Sequence, residues 1–237
     1  MKILNFRHSV AILFILFLTA CRNETIQPSG LLVMQKRPCT EFNSIIINLP
    51  ANVRLIPSEN HEIHVETDDN LLDYVKSRVR NRQLIIYSNR QYLPFTELNI
   101  DINFNSLKKL YLNGQAWVYS DDTIGANKIE LTINDLGKTD LMLKTKDLKV
   151  ILRGRSFCKL AGQSGFTSIK ASGICKTDAF ALTSDSLDLL LRQESEARVS
   201  VKKQITGKIK NNARLLIKGN PVMEVEKLHG AFIVYEN

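Results

Sequence analysis

KKLYLNGQAWVYS (108–120), KIELTINDLGKTDLML (128–143), LKVILRGRSFCKLAG (148–162), TSIKASGICKTDAFAL (167–182), LDLLLRQESEARVSV (187–201) and ITGKIKNNARLLIKG (205–219) follow one pattern. Each opens on alternating apolar residues, passes a Gly, Asn or charged stretch, and closes on a second apolar run. A turn column falls at Gly114, Asp135, Gly154, Gly173, Gln193 and Asn211, spaced by 21, 19, 19, 20 and 18. Two residues before it stand Leu112, Ile133, Leu152, Ala171, Leu191 and Ile209; four before it stand Leu110, Leu131, Val150, Ile169, Leu189 and Gly207. Six after it stand Ser120, Leu141, Leu160, Ala179, Val199 and Ile217. Alternation within a unit means a strand with one buried face. Recurrence at about nineteen residues means that the strand pair itself repeats.

A single unit cannot bury its apolar side, whereas stacked units bury a continuous core. Six coils at about 4.8 Å each make a column roughly 29 Å long. Gly, Asn, Ser and Thr interrupt every unit, and the apolar positions do not recur at three and four, so a helical reading fails. A β-sandwich would explain the alternation but not the constant spacing. The expected fold class is therefore all-β, a β-helix-like solenoid. A tight bend in the turn column requires a positive φ, which Gly and Asn adopt cheaply. Asp135 and Gln193 depart from this, and looser turns are expected there.

Residues 40–106 carry the same alternation less regularly: Phe42, Ile45 and Ile47, then Val53 and Leu55, Ile63 and Val65, Leu84 and Ile86, and Leu98 to Phe104. Between them, LLDYVKSRV (71–79) has helical spacing at Leu71, Leu72, Val75 and Val79, and Asp68 or Asp69 stands where an N-cap would. One short surface helix is expected there. The irregular half, and PVMEVEKLHGAFIVYEN (221–237), are expected to cap the stack.

The chain opens on MKILNFRHS, which carries Lys2 and Arg7 and no acid, followed by the uncharged VAILFILFLTA (10–20) and Cys21. A charged start and an apolar stretch of about 7–15 residues make a secretory signal, too short to span a bilayer. Leu18-Thr19-Ala20-Cys21 reads as a lipobox, so Cys21 is expected to become the lipidated first residue of the mature chain. Two or three acyl chains hold a protein at a membrane firmly, at about 0.8 kcal/mol per buried methylene. The organisation expected is a signal at 1–20, a flexible tether at 21–39, irregular coils at 40–106, a regular solenoid at 107–219 and a cap at 220–237.

The net charge of +8 becomes +6 once Lys2 and Arg7 are removed. The charges are mixed in sign, and no recognition helix or stacking sheet accompanies them, so nucleic acid is not an expected partner. With Cys21 lipidated, Cys39, Cys158 and Cys175 remain. No CxxC pair occurs, and thioredoxin-like and zinc-ribbon readings fail. Cys158 and Cys175 fall on adjacent rungs in different columns, which leaves a disulfide open without favouring one.

FNSIIINLPANVRLIPSENHEIHVETDDNLLDYVKSRVRNRQLIIY (42–87), LKKLYLNGQAWVY (107–119) and IKNNARLLIKGNPVME (209–224), with its Gly219-Asn220-Pro221, resemble the putative auto-transporter adhesin, head GIN domain family. The resemblance covers roughly residues 40–234. This chain keeps one Gly per turn where the family often has two, and Gln193 and Asn211 replace it altogether. The resemblance implies a right-handed β-helix-like fold and export to the cell envelope, frequently as a lipoprotein. The family carries no established catalytic residues, so none is transferred.

His61 and His64 in HEIHVE are three apart, not the four of a helical zinc motif. On a strand, Glu62, His64 and Glu66 share an outward face, and no metal or cofactor is expected. Asp121-Asp122 and Glu194/Glu196 could mimic the paired carboxylates of a glycosidase. That keeps a polysaccharide-active enzyme on a β-solenoid as the alternative to a non-enzymatic, outer-membrane-anchored binding or adhesion protein. Stacking would line Lys149, Arg153, Lys170, Arg192, Lys208 and Lys210 into an outward basic stripe for an anionic envelope or host glycan, or a lipid headgroup.

Overall fold

The computed structural model describes residues 26–90 and 93–236. The expected signal at 1–20 and lipid site at Cys21 lie outside the described residues. Among the described residues no helix is long and apolar enough to cross a membrane.

The chain is a stack of β-coils. Its opening strands are β1 (Leu32–Pro38), β2 (Ser44–Asn48), β3 (Asn52–Pro57), β4 (Glu62–Asp68), β5 (Val75–Arg80), β6 (Gln83–Ser88) and β7 (Leu98–Phe104). The stack continues through β8 (Lys109–Leu112), β9 (Trp117–Tyr119), β10 (Ile124–Ile133), β11 (Lys138–Gly154), β12 (Phe157–Gly173), β13 (Lys176–Gln193) and β14 (Glu196–Lys210). It ends on β15 (Arg214–Lys218), β16 (Val222–Leu228) and β17 (Phe232–Glu236). The long strands bend midway, so one strand serves the second side of its own coil and the first side of the next.

The expected internal rows are present. Leu112, Ile133, Leu152, Ala171, Leu191 and Ile209 are consecutive register partners in parallel ladders, and all are buried. The row extends beyond them through Ile47 and Ile86. On the second side, Trp117, Lys138, Phe157, Lys176, Glu196, Arg214 and Phe232 are likewise successive partners. Their numbering gives rungs of 18 to 21 residues, the repeat read from the sequence.

All six turn-column residues have positive φ: Gly114 86°, Asp135 58°, Gly154 78°, Gly173 114°, Gln193 61° and Asn211 59°. The looser turns expected at Asp135 and Gln193 are not found. Non-glycine residues take the left-handed bend there, at about 1–2 kcal/mol each, because the ladders on either side fix the backbone. Just inside the bend runs a row of small residues that the sequence reading did not single out. The backbone amides of residues 117, 138, 157, 176, 196, 214 and 232 bond to the carbonyls of Ala51, Ala116, Gly137, Ser156, Cys175, Ser195 and Ala213. Ala116, Ser156, Cys175, Ser195 and Ala213 are fully buried at this corner, and a Cβ at Gly137 would meet the Ile133 side chain at 3.0 Å, so small residues fit there. Cys175 is there because it is small, and Cys158 occupies the neighbouring row between Thr139 and Thr177. Cys39, Cys158 and Cys175 are all free thiols.

The front of the stack departs from coil order. Strands β2 and β3 lie between β8–β9 on one side and β6–β7 on the other, so a later segment passes outside the first coil. Beyond that outer coil the direction reverses. β5 runs antiparallel to β6, β4 antiparallel to β7, and β1 antiparallel to β4. Reversal ends the parallel repeat, and Lys76, Arg78 and Arg80 on the edge strand β5 discourage further pairing.

Two expectations are corrected here. Residues 71–79 do not form a surface helix: Leu72–Tyr74 make one 3₁₀ turn, and Val75 onward is β5. Val75 and Val79, four apart, satisfy strand alternation as well as helical spacing, and pairing with β6 decides the outcome. Asp68 caps no helix. It is fully buried and accepts hydrogen bonds from the Gly30 amide (2.8 Å), the Thr96 amide (2.9 Å) and the Thr96 hydroxyl (3.0 Å). The second correction concerns the tether: Leu32–Pro38 is a paired strand, fastened by Asp68 and by Arg37, whose guanidinium donates to the Val75 carbonyl at 2.9 Å.

Candidate functional site

The predicted basic stripe lies on the first side of the coils, where residues alternate between buried inward and outward positions along each strand. Three outward rows result. The row farthest from the turn reads Lys109, Glu130, Lys149, Ser168, Asp188, Thr206 and Glu224. The middle row reads Tyr111, Thr132, Ile151, Lys170, Leu190, Lys208 and Glu226. In the row beside the turn, Arg153, Ser172 and Arg192 follow one another.

Stacking therefore brings acids as well as cations into line. Lys149 bonds Glu130 at 2.7 Å, and that contact holds the Glu130 carboxyl below the usual carboxylate range. Lys208 bonds Glu226 at 2.5 Å. Asp188 accepts from the Thr206 hydroxyl at 3.3 Å. Among the described residues the remaining four cations of the stripe carry no such ion pair. Three of them, Arg153, Lys170 and Arg192, meet around a shallow hollow of about 190 Å³ floored by Ser172 and flanked by Ile151 and Leu190. The continuous stripe thus contracts to a three-cation patch with an apolar margin. Such a surface suits an anionic group attached to a partly apolar body.

A larger open groove, about 670 Å³, follows the second corner of the coils along Lys144, Lys146, Gln163, Ser164, Asp185 and Lys202. Its carboxylate, Asp185, bonds Lys203 at 3.0 Å, which holds it below the usual range. Of the acids weighed as a glycosidase pair, Asp121 is exposed and approaches Arg54 at 3.9 Å. Glu194 and Glu196 line a hollow of about 450 Å³ together with Lys176, Asn212 and Arg214. Glu196 is the rung between those two cations, so this stretch is charge-balanced.

In HEIHVE, Glu62, His64 and Glu66 alternate outward as expected, with Ile63 and Val65 buried. His64 bonds Glu62, and the Asn99 amide donates to Glu66 at 3.0 Å. Among the described residues no group of three or more His, Cys, Asp or Glu is placed to hold a metal ion.

The family model described as putative auto-transporter adhesin, head GIN domain, matches residues 41–221. The chain belongs to this family. Its head GIN fold is shared with solved structures of low sequence identity. A putative adhesin from Bacteroides fragilis is 18% identical, with a TM-score of 0.84 over 89% of this chain and 100% of that one. A putative adhesin from Parabacteroides merdae is 18% identical, with a TM-score of 0.72 over 90% and 99%. A protein from Parabacteroides distasonis described as a putative lipid binding protein is 17% identical, with a TM-score of 0.70 over 90% and 99%. No curated protein matches the chain. Identity this low establishes the head GIN architecture and leaves the ligand to the side chains.

Proposed function

We propose that this head GIN protein is a non-enzymatic, lipid-anchored rod of the cell envelope, attached through Cys21, that binds an anionic group at Arg153, Lys170 and Arg192. The single observation that carries the ligand reading is the convergence of these three cations on one hollow, while Lys149 and Lys208 in the same stripe are neutralised by Glu130 and Glu226. The family description as an adhesin supports a binding role. The lipobox supports the anchor, and a body fastened from residue 29 onward would sit close to the membrane that holds it.

The shared chemistry of the ligand is a carboxylate, sulfate or phosphate on a sugar or lipid headgroup. Two arms separate the sources: anionic polysaccharide in one, anionic phospholipid vesicles in the other, both titrated against the chain from Arg22 onward. Binding that weakens as salt rises from 50 to 300 mM is expected in one arm. Changing Arg153, Lys170 and Arg192 together to Glu abolishes it, while Lys208→Glu changes it little. Equal loss from both variants would refute the patch. For the anchor, Cys21→Ser should move the protein from the membrane fraction to the soluble fraction, and retention in the membrane would refute it.

A further inference from the structure

The second side of the coils presents a different surface. Trp117 is the chain's single Trp, and it is 45% exposed on the outer face of β9. It stacks on Tyr119, two residues along the same face, with ring centroids 4.9 Å apart and an interplanar angle of 30°. Val118 between them is fully buried, and β3 and β11 pair on either side, so the two rings sit on a fixed platform. Two rungs up the same row, after Lys138, comes Phe157, half-buried and also outward. The separation of Trp117 and Phe157 is about 9.6 Å, twice the interstrand distance.

The adjacent outward row supplies fixed polar groups. Arg54, Tyr119, Asp140 and Lys159 are successive partners. Arg54 makes a two-pronged bond to Asp101 (3.0 and 2.5 Å), and Lys159 bonds Asp140 at 2.8 Å. Charges in this fringe cancel in pairs, yet their remaining lone pairs and N–H groups face solvent.

We propose that this surface is a binding track for a linear, uncharged oligosaccharide lying along the rod axis. One sugar ring rests on Trp117 and a second, two residues along the glycan, rests on Phe157. The C–H face of a pyranose is apolar and stacks on an aromatic face, while its hydroxyls project sideways into a polar fringe. The two-rung separation matches the length of a disaccharide. The fringe itself is charge-balanced, which suits a neutral chain, and exposed Lys138 between the two rings, with no ion pair among the described residues, offers its N–H groups to the hydroxyls of the intervening sugar. The two surfaces share no residue, so this inference stands independently of the anionic site.

The single Trp makes the test direct. The chain from Arg22 onward, which retains every described residue, is titrated with cello-, chito-, xylo- and malto-oligosaccharides of two to six sugars while Trp117 emission is followed. A saturable change is expected with at least one series, with affinity rising about tenfold between the disaccharide and the tetrasaccharide. Phe157→Ala should remove that gain with length and leave the disaccharide response in place. Trp117→Ala, read by calorimetry, should abolish binding at every length. The triple Arg153, Lys170, Arg192 to Glu variant should respond as the unaltered chain does, which separates the two readings. The proposal is overturned if no series gives a saturable change at millimolar concentration. It is equally overturned if affinity does not depend on length, or if Trp117→Ala binds as before.

Discussion

Changing Gly162 to Ala tests the stacking itself. Gly162 has φ of +109° and lies opposite Leu143 in the β11–β12 ladder. A Cβ there would sit 2.0 Å from the Leu143 carbonyl oxygen, and the obstacle is backbone, so no side chain can rotate away. Clearing it requires the two rungs to part by about 1 Å at that point. The cost has three parts: about 1–2 kcal/mol for an L-residue at this φ, about 1 kcal/mol for a weakened ladder hydrogen bond, and about 1–3 kcal/mol for the forced shift of packed neighbours. A loss of about 3–6 kcal/mol follows, a large share of the 5–15 kcal/mol that holds a domain together. Gly125→Ala is the control, since that Cβ meets nothing within 4 Å and the backbone there is ordinary. Urea unfolding followed by far-ultraviolet circular dichroism reads both variants. If Gly162→Ala unfolds within 1 kcal/mol of the unaltered chain, the close contact between coils at this rung is wrong.

Three further outcomes are expected. Cys175→Leu should cost about 1–3 kcal/mol by overfilling the small-residue corner, whereas Cys175→Ala should be nearly neutral; equal effects in thermal melts would contradict that packing. Burial raises all three described thiols, Cys158 up to about 12, but only Cys39 is partly open to solvent, so in the folded chain from Arg22 onward a thiol reagent should label Cys39 first and Cys158 and Cys175 only on unfolding. Burial alone would raise the Asp68 carboxyl, but bonds from the Thr96 and Gly30 amides outweigh it and hold the group below its ordinary value. The stability it contributes is thus fully present above the unfolded value of about 3.9 and fades as pH falls toward the folded one. Asp68→Asn should lower stability at pH 7 by about 1–3 kcal/mol and flatten the acid limb of the stability profile; an unchanged limb would sink the assignment.

What the sequence made legible was whatever repeats. A row such as Leu112, Ile133 and Leu152 announces itself because each rung must fill the same internal space. The small-residue corner was equally visible at Ala116, Gly137, Ser156, Cys175, Ser195 and Ala213, but a search for apolar residues passes over it. The front of the stack was not legible, because Val75 and Val79 fit two periodicities and only pairing with a distant strand chooses between them. The basic stripe failed in part for a related reason. Along the chain Lys149 and Glu130 are 19 residues apart, and Glu226 belongs to what reads as a cap, yet in the stack they are neighbours of the cations they neutralise. Phe157 and Trp117 were missed as a pair because they are 40 residues apart in sequence and two rungs apart in space.

The displaced first coil bears on how the molecule assembles. Ribosomes deliver a chain from its N-terminus, and a plain solenoid can add each new rung to the one before it. Here strands β2 and β3 emerge early, just after β1, but wait for partners that arrive some forty and sixty residues later, one for each flank. Growth from that point runs rung upon rung, while the opening third must close as a unit. The slow step in folding should belong to the beginning of the rod, and damage there should halt assembly before the regular part is tested.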